Sequence, residues 1–183
     1  MNFAQATSFL IGTLIDLYTT AVMLHLLLQW VRADFYNPVC QFLVKVTNPL
    51  LIPIRRVIPS IGRLDTASVI LMLALQALAT WIIAQISQMD MAPVQILTYA
   101  LIKLGVTLLM TYFILIIAIV ILSWIGARAR HPLIPLLYQL TEPVLRPFRR
   151  FVPPIAGIDL SPLFALIMIR FLLLLLGLSL IHI

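Results

Sequence analysis

Two arginine pairs in this chain could bind phosphate or carboxylate groups. Arg55 and Arg56 lie in the stretch PLLIPIRRVIP, and Arg149 and Arg150 lie in PVLRPFRRFVP. A guanidinium group presents a planar set of donors that can hold either anion through two parallel hydrogen bonds. The prolines around the two pairs keep the same spacing, and they are Pro49, Pro53, Pro59, Pro143, Pro147 and Pro153.

Two interpretations of these doublets are open. In the first, the arginine stems lie along an apolar boundary while the charged heads reach water, and the residues only set the topology. In the second, the doublets form a specific site for lipid headgroups or for an acidic partner. The repeated proline spacing adds support to the second without excluding the first, because topology alone does not require that spacing.

Two aspartates recur with the same periodicity as the arginines. Asp65 and Asp159 each stand directly before an apolar stretch. Aspartate is a favoured N-cap and suits the positive end of the helix dipole. We therefore expect both residues to cap helices, and an ion pair with the nearby arginine doublet is compatible with that role.

Two further charges interrupt apolar stretches. Asp16 and Arg170 fall near the middle of predicted membrane spans. A charge at that depth costs about 3 kcal/mol or more and often has a function. Three alternatives are open: a structural pair between the first and fourth spans, a transport or coupling role, or no direct contact.

Catalytic and cofactor chemistry has little support in the sequence. The three histidines are scattered singly without metal-ligand spacing, Cys40 is the single cysteine, and no glycine-rich phosphate loop is present. No constellation of nucleophile, acid and base is visible either. We expect neither an enzyme nor a bound cofactor.

The composition indicates a membrane protein. Hydrophobic residues make up 63% of the 183, and charged residues only 10%, against about 25% in soluble domains. Such a chain belongs in a membrane, where helices satisfy their own backbone groups. A span needs roughly 20 apolar residues, and four segments qualify: 7–31, 66–88, 94–125 and 160–183.

The distribution of basic residues predicts the orientation. Between the first and second spans lie Arg32, Lys45, Arg55, Arg56 and Arg63, and between the third and fourth lie Arg128, Arg130, Arg146, Arg149 and Arg150. Short loops rich in Lys and Arg stay in the cytoplasm. We therefore expect cytoplasmic basic loops and both termini outside. The net charge of +6 does not point to nucleic acid, because no soluble domain remains to bind it.

The chain contains an internal repeat. At an offset of 94 residues, 11 of the 28 positions in 38–65 are identical to their counterparts in 132–159. The first repeat covers 1–93 and the second 94–183. Because each repeat holds two spans, both copies share one orientation, which indicates a parallel duplication.

Each basic loop begins with an expected interfacial segment, 38–59 in the first repeat and 132–153 in the second. Asn37 and Pro38 form a helix start. Val39, Phe42, Leu43 and Val46 then share one helical face, and Leu133, Leu136, Leu137 and Leu140 do so in the second copy. We expect short amphipathic helices lying in the membrane interface. Pro53 should prevent a long regular helix, so a second start is expected at Asn48–Pro49.

The segments FYNPVCQFLVKVTNPLLIPIRRVIPSIGRLDTAS and HPLIPLLYQLTEPVLRPFRRFVPPIAGIDLSP resemble the YggT (YlmG) family of bacterial inner-membrane proteins, as two tandem family repeats. The resemblance covers essentially the whole chain. It implies a multi-pass protein of the bacterial inner membrane, with links to osmotic or envelope stress tolerance and to cell division. No catalytic residue is implied.

Together these features predict an all-α membrane protein with four transmembrane helices in two parallel tandem repeats. Each repeat has a cytoplasmic interfacial amphipathic helix and a Pro/Arg-rich loop between its two spans. The favoured function is a non-enzymatic membrane organiser or assembly factor. Its expected partners are anionic phospholipid headgroups and an unknown membrane or cytoplasmic protein, and a homo-oligomer is compatible with this function. The alternative is a channel or transport accessory in osmotic or ion homeostasis.

Overall fold

The computed structural model describes residues 3–62, 64–125, 132–151 and 159–181. These residues form six helices and no β-strand, apart from one isolated bridge between Ile61 and Leu64. The helices are α1 (Phe3–Trp30), α2 (Pro38–Val57), α3 (Thr66–Ile86), α4 (Pro93–Ile125), α5 (Leu133–Phe151) and α6 (Ser161–Ile181). The expected all-helical fold is confirmed.

Among the described residues, three stretches are long and apolar enough to cross a membrane. They are Phe3–Trp30, Thr66–Ile86 and Pro93–Ser123. The apolar stretch Ser161–Gly177 of α6 is shorter. A fourth span on α6 therefore stays a prediction, whereas a helical protein with several membrane-crossing segments fits the structure.

The two halves pack in the same order. Helix α1 packs on α3, α4 packs on α6, and contacts of α3 and α1 with α4 join the halves. Helices α2 and α5 each contact both long helices of their own half. They also share one apolar cluster, in which Cys40 and Leu43 of α2 lie with Leu136 and Leu140 of α5. The core is therefore continuous across the repeat boundary.

Helix α2 begins as its sequence indicates. Asn37 accepts a hydrogen bond from the Val39 amide at 3.0 Å, and Pro38 occupies the first turn, where its missing N–H costs little. The side-chain Nδ2 of Asn37 also donates to the Pro132 carbonyl at 2.7 Å. This bond joins the start of α2 to the residue before α5.

The expected break at Asn48–Pro49 is wrong, because α2 runs unbroken through Pro49 and Pro53. Both prolines lie on the exposed side of the helix. The carbonyls of Lys45 and Pro49, which lose their N–H partners, therefore lie on that side too, where water can reach them. On the opposite side the buried Leu51 holds the second half of α2 against the bundle.

The second repeat behaves in the same way. Helix α5 continues through Pro143 and Pro147, which are also exposed. Pro59 lies just beyond α2 and is exposed, whereas Pro153 falls outside the described residues. The proline spacing thus places the prolines of each helix on one surface rather than dividing the helix.

Candidate functional site

The side of α2 that packs on the bundle overlaps only in part with the apolar face that its sequence predicts for the membrane interface. The buried residues are Cys40, Leu43, Thr47 and Leu51, whereas Phe42 is 64% exposed. A polar contact with α1 lies on this packed side. His25 hydrogen-bonds to the Thr47 hydroxyl, which itself donates to the carbonyl one turn earlier. Buried polar groups need such partners, so Thr47 faces the bundle.

Arg55 connects the end of α2 to the start of α3. Its Nε and Nη2 atoms donate to the Asp65 carboxylate at 3.1 and 2.5 Å. The hydroxyl of Ser68 donates to the same carboxylate oxygen at 2.6 Å. Asp65 is only 2% exposed, so this ion pair is screened far less than a surface pair.

Asp65 precedes α3 at the N-cap position, but its side chain makes no capping hydrogen bond to the helix backbone. The carboxylate binds side chains instead. Burial alone would raise the pKa of Asp65, yet the hydrogen bonds from Arg55 and Ser68 hold it below the ordinary value. The aspartate therefore stays ionised at neutral pH.

The second repeat contains the equivalent ion pair, which is more exposed to solvent. Arg149 donates to Asp159 at 2.9 Å and to Glu142 at 2.6 Å. The carboxylate of Asp159 also accepts the Ser161 amide at the start of α6. Burial opposes ionisation of Asp159, but the bonds from Ser161 and Arg149 lower its pKa overall. All three side chains in the Arg149 ion pairs are about half-exposed, so each pair is worth little on its own.

Each arginine doublet is therefore divided between two roles. The first arginine, Arg55 or Arg149, is tied to an aspartate. The second, Arg56 or Arg150, is exposed and has no ion pair among the described residues. This separation was not visible in the sequence, where the two arginines of a doublet look equivalent.

An exposed apolar residue follows each exposed arginine. Val57 is 81% exposed and Phe151 is 83% exposed, and the two occupy equivalent positions in the repeats. A basic head beside an apolar side chain matches the boundary between headgroups and acyl chains. We name Arg56, Val57, Arg150 and Phe151 the helix-end surface.

Of the alternatives open for Asp16 and Arg170, a direct pair between them is not the one seen among the described residues, because Asp16 has other partners. Lys103 of α4 lies 2.8 Å from the Asp16 carboxylate, and Gln76 of α3 donates to the same oxygen at 2.9 Å. Arg170 is exposed on α6. In the repeat, Arg170 of α6 occupies the position of Gln76 on α3, and Met110 of α4 occupies the position of Asp16 on α1. Because α6 packs on α4 and α3 packs on α1, Arg170 belongs to the half of the protein that has Met110 in place of the aspartate.

Sequence reasoning missed the role of Lys103, although a signal was present. A lysine inside an apolar span is as costly as an aspartate there, so the two are natural partners. Gln76 is fully buried and also donates to Thr19 at 3.2 Å. The intramembrane polar centre is thus formed by Asp16, Thr19, Gln76 and Lys103. Within the residues described, no group of histidine, cysteine and acidic residues could hold a metal ion.

Comparisons with known proteins agree on one family. The family model described as CCB3/YggT matches residues 4–94 and again residues 98–180. An uncharacterised protein of Pseudomonas aeruginosa is 38% identical over 90% of this chain and 85% of its own length. The YggT protein of Escherichia coli K12 is 36% identical over 88% and 84%. A protein from the proC 3′ region of Vibrio alginolyticus is 41% identical over 91% of both chains. No solved structure matches the chain.

Proposed function

This chain belongs to the CCB3/YggT family, as two tandem copies of the family unit, and we propose that it organises partners at an anionic membrane surface. It would do so as a non-enzymatic multi-pass protein of the bacterial inner membrane, with the helix-end surface on the cytoplasmic side. In this role it would support osmotic or envelope stress tolerance and cell division. The observation that carries the proposal is the division of each arginine doublet into a tied and an exposed residue.

Rigid presentation supports this function. Arg55 and Arg149 hold the ends of α2 and α5 to the starts of α3 and α6. Arg56 therefore stands on a helix end that a buried carboxylate holds in place, and Arg150 stands on one that is held more weakly. Preorganised donors lose less conformational entropy on binding a phosphate or carboxylate. Each basic residue near an anionic leaflet contributes about 1 kcal/mol.

We expect the double variant Arg56→Gln/Arg150→Gln to insert and fold normally but to lose anionic lipid. At about 1 kcal/mol for each arginine, affinity should fall roughly fivefold at each site. Native mass spectrometry of protein released from nanodiscs containing phosphatidylglycerol would measure the retained lipid. Crosslinking in cells from positions 57 and 151 would measure partner contact in parallel.

The matched control is Lys45→Gln/Arg146→Gln, which removes the same charge from exposed positions on the same two helices. It should lose less lipid and less partner than the doublet variant does, because Lys45 and Arg146 lie outside the helix-end surface. Equal losses of lipid and partner in the two variants would show that Arg56 and Arg150 act only through general surface charge. A variant with lysine at positions 56 and 150 then separates charge from the bidentate geometry that arginine alone provides.

Topology gives a further prediction. Cysteines introduced at Asn2 and Asp90 should react in whole cells with a membrane-impermeant thiol reagent, and one at Lys45 should not. The reason is the concentration of Lys and Arg in the two loops that contain α2 and α5. Labelling at position 45 alone would show the opposite orientation, in which the helix-end surface is not cytoplasmic and the proposal fails.

A further inference from the structure

A polar stripe follows α4 through an otherwise apolar helix. Its members recur every four residues, so each lies about 40° around the helix from the one before it, and the five wind through roughly 160° from the α3 side to the α1 side. They are Gln95, Tyr99, Lys103, Thr107 and Thr111. At about 1.5 Å per residue the stripe covers roughly 24 Å, most of the hydrocarbon thickness of a bilayer.

Two cavities lie along this stripe and meet at Lys103. The first, of about 310 Å³, lies beside the α3–α4 connection, and its largely apolar wall includes the polar residues Thr80, Asp90, Gln95 and Tyr99. The second, of about 290 Å³, lies between α1 and α4, and Thr107 is part of its wall. Lys103 lines both cavities, so its side chain stands at the boundary between them.

The boundary is an ion pair rather than an apolar plug. The Lys103 ammonium binds Asp16, which lines the second cavity. The side chain of Asp16 is 43% exposed and that of Lys103 is 23% exposed, so neither is sealed in the core. Next to them, the Oε1 atom of Gln76 is buried and has no hydrogen-bond partner in the described part of the chain. A polar acceptor left in this state is commonly satisfied by water.

We propose that the first cavity is a water-filled vestibule and that the Lys103–Asp16 ion pair is the gate between it and the second cavity. The vestibule has room for several water molecules and enough polar groups to bind them. Water there solvates the lysine, which lowers the cost of a charge at this depth. While the pair is closed, water stops at Lys103. When the pair separates, the two cavities join along the polar stripe. This inference does not depend on the proposed role of the arginine doublets.

Thiol accessibility tests the vestibule. Single cysteines are introduced in a Cys40→Ile background, because isoleucine occupies the equivalent position, Ile134, in the second repeat. The protein is held in lipid nanodiscs and treated with charged methanethiosulfonate reagents, which react only in water. We expect Tyr99→Cys to react at least tenfold faster than Leu101→Cys, which lies at similar depth but on the exposed apolar face. Equal, slow reaction at both positions would overturn the vestibule.

The gate has its own test at Thr107, beyond the ion pair. Thr107→Cys should react slowly in the otherwise unmodified protein and at least fivefold faster when Lys103→Met is added. Lys103→Arg keeps the pair and should leave the rate unchanged. Cationic and anionic reagents are compared, because an open gate accelerates both, whereas a change in local charge accelerates one and slows the other.

Asp16→Asn provides an independent way to open the pair, so the test survives if Lys103→Met does not fold. Fast reaction of Thr107→Cys with the pair intact would contradict the gate. So would a rate that neither Lys103→Met nor Asp16→Asn changes.

Discussion

Replacing Asp65 by asparagine should destabilise the protein by about 2 kcal/mol, measured as thermal unfolding of the purified protein in detergent. The substitution keeps the size of the side chain but removes its charge. Arg55 then lies at the α2–α3 junction without its counter-ion, and Ser68 loses a charged acceptor. Asp65 is buried, so its charged hydrogen bonds are lost, but the Arg55 side chain that remains is 34% exposed and water can partly solvate it.

The second repeat supplies a natural control. Asp159→Asn removes the equivalent residue, but its ion pair with Arg149 is largely exposed, and Glu142 remains as an alternative partner. The loss should stay below about 1 kcal/mol. Similar losses from the two substitutions would show that burial of Asp65 does not strengthen its tie.

Acid should reduce the contribution of the Arg55–Asp65 ion pair to stability. The pKa of Asp65 is lowered in the folded protein, so its contribution to stability is fully present above the ordinary aspartate pKa of about 3.9. It is lost progressively as the pH falls below that value towards the lowered pKa. Stability of the Asp65→Asn variant should therefore fall less steeply than that of the unmodified protein below about pH 4.

The positions of the helices could be predicted well from the sequence, because long apolar stretches, prolines and capping residues are local signals. Asn37 and Pro38 mark the start of α2 as expected. The continuity of α2 could not be predicted in the same way. Whether Pro53 breaks a helix depends on which side of the helix faces the bundle, and that side is decided by contacts such as His25–Thr47.

The candidate site was only partly visible for a similar reason. The doublets, the aspartates and their periodicity stand out in the sequence, but the separate roles of Arg55 and Arg56 follow from which one faces α3. The partner of a charge inside the membrane is harder still to predict. Asp16 lies in the first repeat and Lys103 in the second, so the two meet only because the repeats pack against each other. The sequence offers Lys103 and Arg170 as equally good cations.

A double-mutant cycle distinguishes these two cations. Lys103→Met should cost several kcal/mol, because it leaves Asp16 charged within the membrane without its ammonium partner. Asp16→Asn should also destabilise, although the vestibule proposed above would let water solvate the remaining lysine. The double variant Asp16→Asn/Lys103→Met should lose much less than the sum of the two, because both charges are gone.

The matching cycle with Arg170→Gln should behave differently. Arg170 is exposed on α6, and the carboxylate of Asp16 is engaged by Lys103 and Gln76. Losses from Asp16→Asn and Arg170→Gln should therefore add within about 0.5 kcal/mol, as they do for sites that share no partner. Thermal unfolding in one detergent measures both cycles. Coupling in the Arg170 cycle together with additivity in the Lys103 cycle would restore the pair between α1 and α6 and remove the gate. Coupling in the Lys103 cycle alone would leave a charged pair beside two cavities, which is the arrangement that a transport accessory would require.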